Sequence, residues 1–172
     1  GVPFSIACGH CSHCWDGQSQ VCSNRLSVGL GAEIPGAFAS EFAIPRADFN
    51  ALHLPDGMNS VEMAALGCRF ATSFHAFAHK ADLEAGDWVA IHGCGGIGLS
   101  AVHIANALGA NVVAVDLNDE TLSVAESVGA LETINGAEVD DVPKAIRGHT
   151  DGGADISMDA LGIPETCKNS LA

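Results

Sequence analysis

The sequence predicts an α/β protein built on a doubly wound parallel sheet, preceded by a region of irregular structure. Three observations carry this. From Asp82 onward, short apolar strands alternate with helix-length segments. A glycine loop follows the first of those strands directly. Before residue 80 no such alternation exists, and the opening residues instead hold four closely spaced cysteines.

The elements follow in order. After the cysteine segment comes a stretch with Gly29, Gly31 and Gly36, and then Phe38–Pro45, whose alternation predicts a short strand closed by Pro45. Leu52–Gly57 reads as an extended piece and a turn. Ser60 is the predicted N-cap of a helix through Leu66, with Met63 rather than an acid three residues on. A further helix is predicted from Cys68 to Lys80. Trp88–His92 is an apolar strand introduced by the Gly86-Asp87 turn. Gly93–Gly98 is a tight loop, Leu99–Leu108 a helix ended by Gly109, and Asn111–Asp116 the second strand. Asp119 is placed to cap a helix reaching Val128, which Gly129 stops. Leu131–Ile134, Val139–Arg147, Ala154–Met158 and a helix from Pro164 continue the rhythm. The expected division is 1–80 and 81–172.

Cys8, Cys11, Cys14 and Cys22 suit one soft tetrahedral cation, and Zn²⁺ is the common one. Four cysteines leave no position for water, so the site reads as structural. Gly9 and Gly17 help the segment turn between ligands. An iron–sulfur cluster or disulfides compete, although no Pro follows Cys22 as in ferredoxin motifs. His10 and His13 read as solvated loop residues.

Gly93, Gly95 and Gly98 form G-x-G-x-x-G, a weak signal alone. Here a strand precedes it, a helix follows, and Asp116 ends the next strand 18 residues past Gly98. That is the Rossmann arrangement for a dinucleotide. Gly93 permits the sharp turn, Gly95 lets backbone approach a pyrophosphate, and Gly98 lets the helix pack closely. Gly96 and Ile97 lie in the same loop, where the helix N-terminus offers N–H groups to the phosphates. Asp116 can accept from an adenosine ribose and would repel a 2′-phosphate, which Leu117 and Asn118 do nothing to neutralise. NAD is therefore expected over NADP. The plain alternative is a tight turn that binds nothing. Cys94 reads as a small filler.

Composition excludes some partners. With 21 acidic against 7 basic residues and a net charge of −14, the chain repels nucleic acid and anionic lipid. Hydrophobic residues make up 48% of it, which argues against disorder. A surface rich in acids and poor in Lys suggests a salt-adapted, halophilic source. No long apolar run predicts a membrane span, and Cys68, Cys94 and Cys167 beside the four clustered cysteines favour a reducing cytoplasm. Both ends look cut, so a piece of a longer protein is expected.

The order of motifs resembles the zinc-containing medium-chain alcohol dehydrogenases. Cys8–Cys22 is similar to that family's structural-zinc loop, Leu66–Ala76 to its segment bearing a catalytic-zinc ligand, and Ala85–Asp116 to its dinucleotide half. The resemblance implies that residues 1–80 are part of a mainly β, GroES-like catalytic domain. It implies that Cys68 is a ligand of a second, catalytic Zn²⁺ in the whole protein and that Thr72 lies near the nicotinamide. Cys68 alone would read as a small buried hydrophobe. It further implies hydride transfer from an alcohol to NAD⁺, an aldehyde or ketone product, and a dimer or tetramer. A polyol, sugar or amino-acid alcohol dehydrogenase of the same superfamily, or a non-catalytic zinc-stabilised nucleotide-binding piece, are the alternatives. Arg69 could meet a cofactor phosphate, a surface ion pair being the plainer reading. Phe70, Phe74 and Phe77 read as core, with bordering a substrate pocket as the alternative for one of them, and His75 and His79 as helix-surface or hydrogen-bonded residues. His53 and His75 would be the first other ligands to test.

Overall fold

Strands buried on both faces need apolar residues without alternation, and Trp88–His92 and Asn111–Asp116 have them. In the computed structural model, which describes residues 1–29, 33–150 and 152–172, these are the two central strands of a parallel sheet. The chain divides into two compact units, Gly1–Met63 and Ala64–Ala172.

In the first unit, β1 (Ser5–Ile6) pairs antiparallel with β2 (Leu26–Ser27). Between them lie the short helix α1 (Ser12–Trp15) and a 3₁₀ turn over Ser19–Val21. Helix α2 (Ala47–Asn50) follows, and α3 (Ser60–Ala65) runs across the division between the two units. Asn50, almost fully buried, braces the cysteine segment. Its Oδ1 accepts from Ala7 N–H at 2.8 Å, and its Nδ2 donates to the Ala7 carbonyl at 3.1 Å. One side chain thus satisfies both backbone groups of a buried residue.

In the second unit, α4 (Cys68–His79) leads into β3 (Trp88–His92), α5 (Gly96–Ala107), β4 (Asn111–Asp116), α6 (Asp119–Ser127), β5 (Glu132–Asn135), α7 (Val142–His149), β6 (Ile156–Asp159) and α8 (Pro164–Asn169). The sheet order is β5-β4-β3-β6, all parallel. Strand order reverses between β3 and β6, so a crevice for a ligand is expected beyond their carboxyl ends. Val89, Ile91, Val112 and Ala114 face one way, into a core shared with Phe77 of α4, Val102 of α5 and Leu122 of α6. Ala90, Val113, Val115 and Ile134 face the other way, onto Ile146 of α7. Helices therefore cover both faces, and the doubly wound α/β architecture is present as predicted.

Four local expectations are corrected. Phe38–Pro45 forms no strand among the described residues: no neighbouring backbone takes up its polar groups, and Phe38 is fully exposed. The alternation was there, but a strand also needs a partner edge. Helix α3 is capped by Asn59, not Ser60. Asn59 Oδ1 accepts from the N–H groups of Val61 and Glu62, and Glu62 accepts from Asn59 N–H at 2.9 Å, a reciprocal capping box. Helix α6 is capped by Asn118, one residue before Asp119. Helix α5 begins at Gly96 rather than Leu99, because the glycines themselves take up its first turn. Gly31 lies outside the described residues, and so does part of the glycine-rich stretch around it.

Candidate dinucleotide site and metal centre

The glycine loop owes its shape to what the missing side chains would strike. Gly93 has φ +91°, a left-handed conformation that L side chains rarely adopt. A Cβ there would also sit 2.5 Å from Leu161 Cγ in the turn after β6. A Cβ on Gly98 would run into the Gly93 carbonyl oxygen, so helix α5 can start this close to the strand only with glycine. A Cβ on Gly95 would meet nothing within 4 Å. The backbone here faces open space, which is what a pyrophosphate approaching along the main chain requires.

No side chain caps α5. The helices after the next two strands are closed differently, α6 by Asn118 and α7 by Asp141. The first-turn N–H groups of α5, from Gly96, Ile97 and Gly98, are thus left for an anion.

Asp116 ends β4 and ties itself to the loop. One carboxylate oxygen accepts from Cys94 N–H at 2.7 Å, the other from Leu117 N–H at 2.8 Å and Asn118 N–H at 3.1 Å. A carboxylate offers about four lone-pair sites, so acceptor capacity remains for a ribose hydroxyl. Leu117 beside it is exposed and carries no charge. Cys94 is buried against the Val115 carbonyl, and burial, with the Asp116 charge adding to it, pushes its thiol up to about 12. It is a filler, as expected.

Helix α4 is locked onto this loop by a residue that sequence reasoning missed. Ser73 is fully buried, and its hydroxyl lies 3.0 Å from the Ile97 carbonyl and 3.1 Å from that of Arg69. A lone serine on a helix carries no signal of this in the sequence. Phe77 lies in the core and Phe70 packs against it, while Phe74 is exposed beside His79. Cys68 and Thr72, four residues apart on α4, are both exposed and share a helix face. The His75 and His79 rings lie side by side, with centroids 5.2 Å apart and planes tilted by 47°.

The four clustered cysteines converge. All four Sγ atoms lie within 4.8 Å of one another, with Cys11–Cys14 at 3.5 Å, Cys11–Cys22 at 3.8 Å and Cys8–Cys14 at 3.9 Å. Thiolates at about 2.3 Å from a tetrahedral zinc stand about 3.8 Å apart. Disulfide sulfurs would be near 2.05 Å, and these cysteines are unpaired. The N–H groups of Cys8 and Asn24 point at Cys22 Sγ, at 3.3 and 3.4 Å, as second-layer donors to a thiolate. The His10 N–H helps hold Cys8 down to about 6. The donor set therefore fits one zinc. Cys68 belongs to no comparable group: among the described residues the four cysteines are the sole cluster of metal-ligating side chains.

The chain is similar to known proteins along most of its length. The zinc-binding dehydrogenase family matches residues 96–172. The chain is 39% identical over 153 residues to an alcohol dehydrogenase of Geobacillus stearothermophilus, covering 88% of this chain and 43% of that protein. The solved structure of the alcohol dehydrogenase TADH from Thermus sp. ATN1 superposes with a TM-score of 0.86 at 31% identity, over 99% of this chain and 50% of that one. The chain belongs to the zinc-containing medium-chain alcohol dehydrogenase family. An L-threonine 3-dehydrogenase of Pseudoalteromonas translucida (strain TAC 125) is also 37% identical over 169 residues, 96% of this chain and 47% of that one. This family member thus spans less than half the length of the curated relatives it matches.

Proposed function

We propose that these residues serve an NAD-dependent, zinc-containing dehydrogenase acting on a small alcohol. Residues 1–80 are assigned to its catalytic domain and 81–172 to its dinucleotide-binding domain. The observation that carries the reading is the coupling of Asp116 to the glycine loop: a carboxylate with spare acceptor capacity beside an uncapped helix and an open Gly95. Asp116 selects NAD by accepting from the ribose and repelling a 2′-phosphate. Gly93, Gly95, Gly96, Ile97 and Gly98 bind the phosphates through backbone. Cys8, Cys11, Cys14 and Cys22 hold a structural Zn²⁺. Thr72 lies near the nicotinamide, and Cys68 is one ligand of a catalytic metal site. The described residues do not complete that second site. When bound, NAD supplies the hydride acceptor and the protein supplies its orientation.

An amino-acid alcohol is the second substrate class, favoured by the identity to the L-threonine 3-dehydrogenase over nearly the whole chain. The test is NADH formation at high salt, from primary and secondary alcohols and from threonine, by a chain of the relatives' full length carrying these residues. Turnover with NAD⁺ well above NADP⁺ is expected, with Cys68→Ala abolishing turnover while NAD⁺ binding persists. Binding without turnover on any alcohol would leave only a nucleotide-binding role. Residues 1–172 alone should bind NAD⁺ without oxidising alcohols.

A further inference from the structure

Arg69 does not form the surface ion pair that is its plainer reading. Among the described residues the one ion pair joins His149 and Glu132, and Arg69 has no carboxylate partner. None of the seven Lys and Arg residues pairs with an Asp or Glu among the described residues, so what sets Arg69 apart is where its side chain lies. Its side chain lies instead over the glycine loop. A Cβ on Gly96 would stand 2.5 Å from Arg69 Cδ, 2.9 Å from Nη1 and 3.0 Å from Nε. The guanidinium therefore covers the first residue of α5, whose N–H groups are uncapped.

The position is built. Arg69 stands one turn before Ser73 on α4, and the buried Ser73 hydroxyl bridges the Arg69 carbonyl to the Ile97 carbonyl of the loop helix. The placement is also electrostatically unfavourable as it stands. Arg69 is the second residue of α4, where a cation opposes the helix dipole. It also lies beside the positive end of α5. Two helix N-termini and a guanidinium converge here, and although Asp116 is bonded to the loop at the Cys94 N–H, an anion at the uncapped start of α5 relieves the arrangement further. Neither the loop, Gly93–Gly98, nor Leu117 and Asn118 supplies another cation.

We propose that Arg69 clamps the pyrophosphate of the dinucleotide from the α4 side. The guanidinium fork donates to phosphate oxygens while the α5 backbone N–H groups meet them from below. This rests on the reading that the glycine loop holds a dinucleotide. Arg69 touches the cofactor away from the reacting atoms, so it is a binding and positioning residue.

Calorimetric titration of the purified protein with NAD⁺, ADP-ribose and adenosine, in wild type, Arg69→Gln and Arg69→Lys, tests it. Arg69→Gln should weaken NAD⁺ and ADP-ribose about 10-fold or more, as expected for loss of a charge-assisted hydrogen bond. Adenosine, which lacks phosphate, should change less than twofold. Arg69→Lys, which keeps charge but loses the fork, should fall between. The wild-type affinity for NAD⁺ should also fall more steeply with salt than that of Arg69→Gln. Wild-type binding of NAD⁺ with unchanged affinity in Arg69→Gln would overturn the clamp and leave the dinucleotide site standing. Equal losses for adenosine and NAD⁺ would reduce Arg69 to a structural residue. Failure of the wild type to bind NAD⁺ would overturn both readings.

Discussion

At the scale of single residues, His92 is a buried histidine, so its burial ties stability to pH. It closes β3, is 1% exposed, and its Nε2 has no hydrogen-bond partner among the described residues. Burial pushes its pKa below the ordinary histidine value, with the Asp159 charge opposing. In the unfolded chain it titrates near 6.5. The unfolded state then binds more protons than the folded one as pH falls below that value, so His92's contribution is present above it and lost on acidification. His92→Phe should remove this sensitivity and, by deleting an unpartnered buried nitrogen, stabilise the protein by about 1 kcal/mol near neutral pH. Melting temperatures from pH 5 to 8 check it. A wild-type curve parallel to that of His92→Phe would contradict the assignment. The residues that define the loop were legible beforehand because glycine leaves few alternatives: Gly93 and Gly98 stand where any side chain would collide. Ser73 and Asn50 were not legible. Each acts through a distant backbone partner, 24 and 43 residues away, that no local pattern announces.

At the scale of elements, strands and helices of the second unit follow the sequence closely, since two-sided burial demands continuous apolar strands there. Their ends were less legible. Caps fell on Asn59 and Asn118, each one residue before the expected cap, because the residue whose side chain reaches back over the first turn decides the start. The predicted strand at Phe38–Pro45 failed for a different reason: pairing is not a property of one segment. The cysteine segment is the element with the least apolar support, its buried cluster consisting of Ala7 and cysteines alone. Its order should therefore depend on the metal. Chelation, or Cys11→Ser, should release one zinc per chain and render residues 8–22 sensitive to protease. NAD⁺ affinity should change less than threefold, because none of these cysteines belongs to the dinucleotide loop. Metal analysis with limited proteolysis reads both, and a protein lacking zinc yet protease-resistant over this segment would overturn the structural-zinc assignment.

At the scale of the whole molecule, the chain carries a cluster shaped for zinc in one unit and a nucleotide loop in the other. Among the described residues no helix is long and apolar enough to cross a membrane. The net charge of −14 disfavours polyanionic partners. The central claim is that Asp116 and the glycine loop choose NAD. Calorimetric titration with NAD⁺ and NADP⁺, in wild type and in Asp116→Ser combined with Leu117→Arg, tests it most directly. NAD⁺ should bind the wild type at least about tenfold more tightly, a difference of about 1.4 kcal/mol. The double variant should shift preference toward NADP⁺, since one repulsion is removed and one cation is added. Equal wild-type affinities for the two dinucleotides, or no binding of either, would contradict the account.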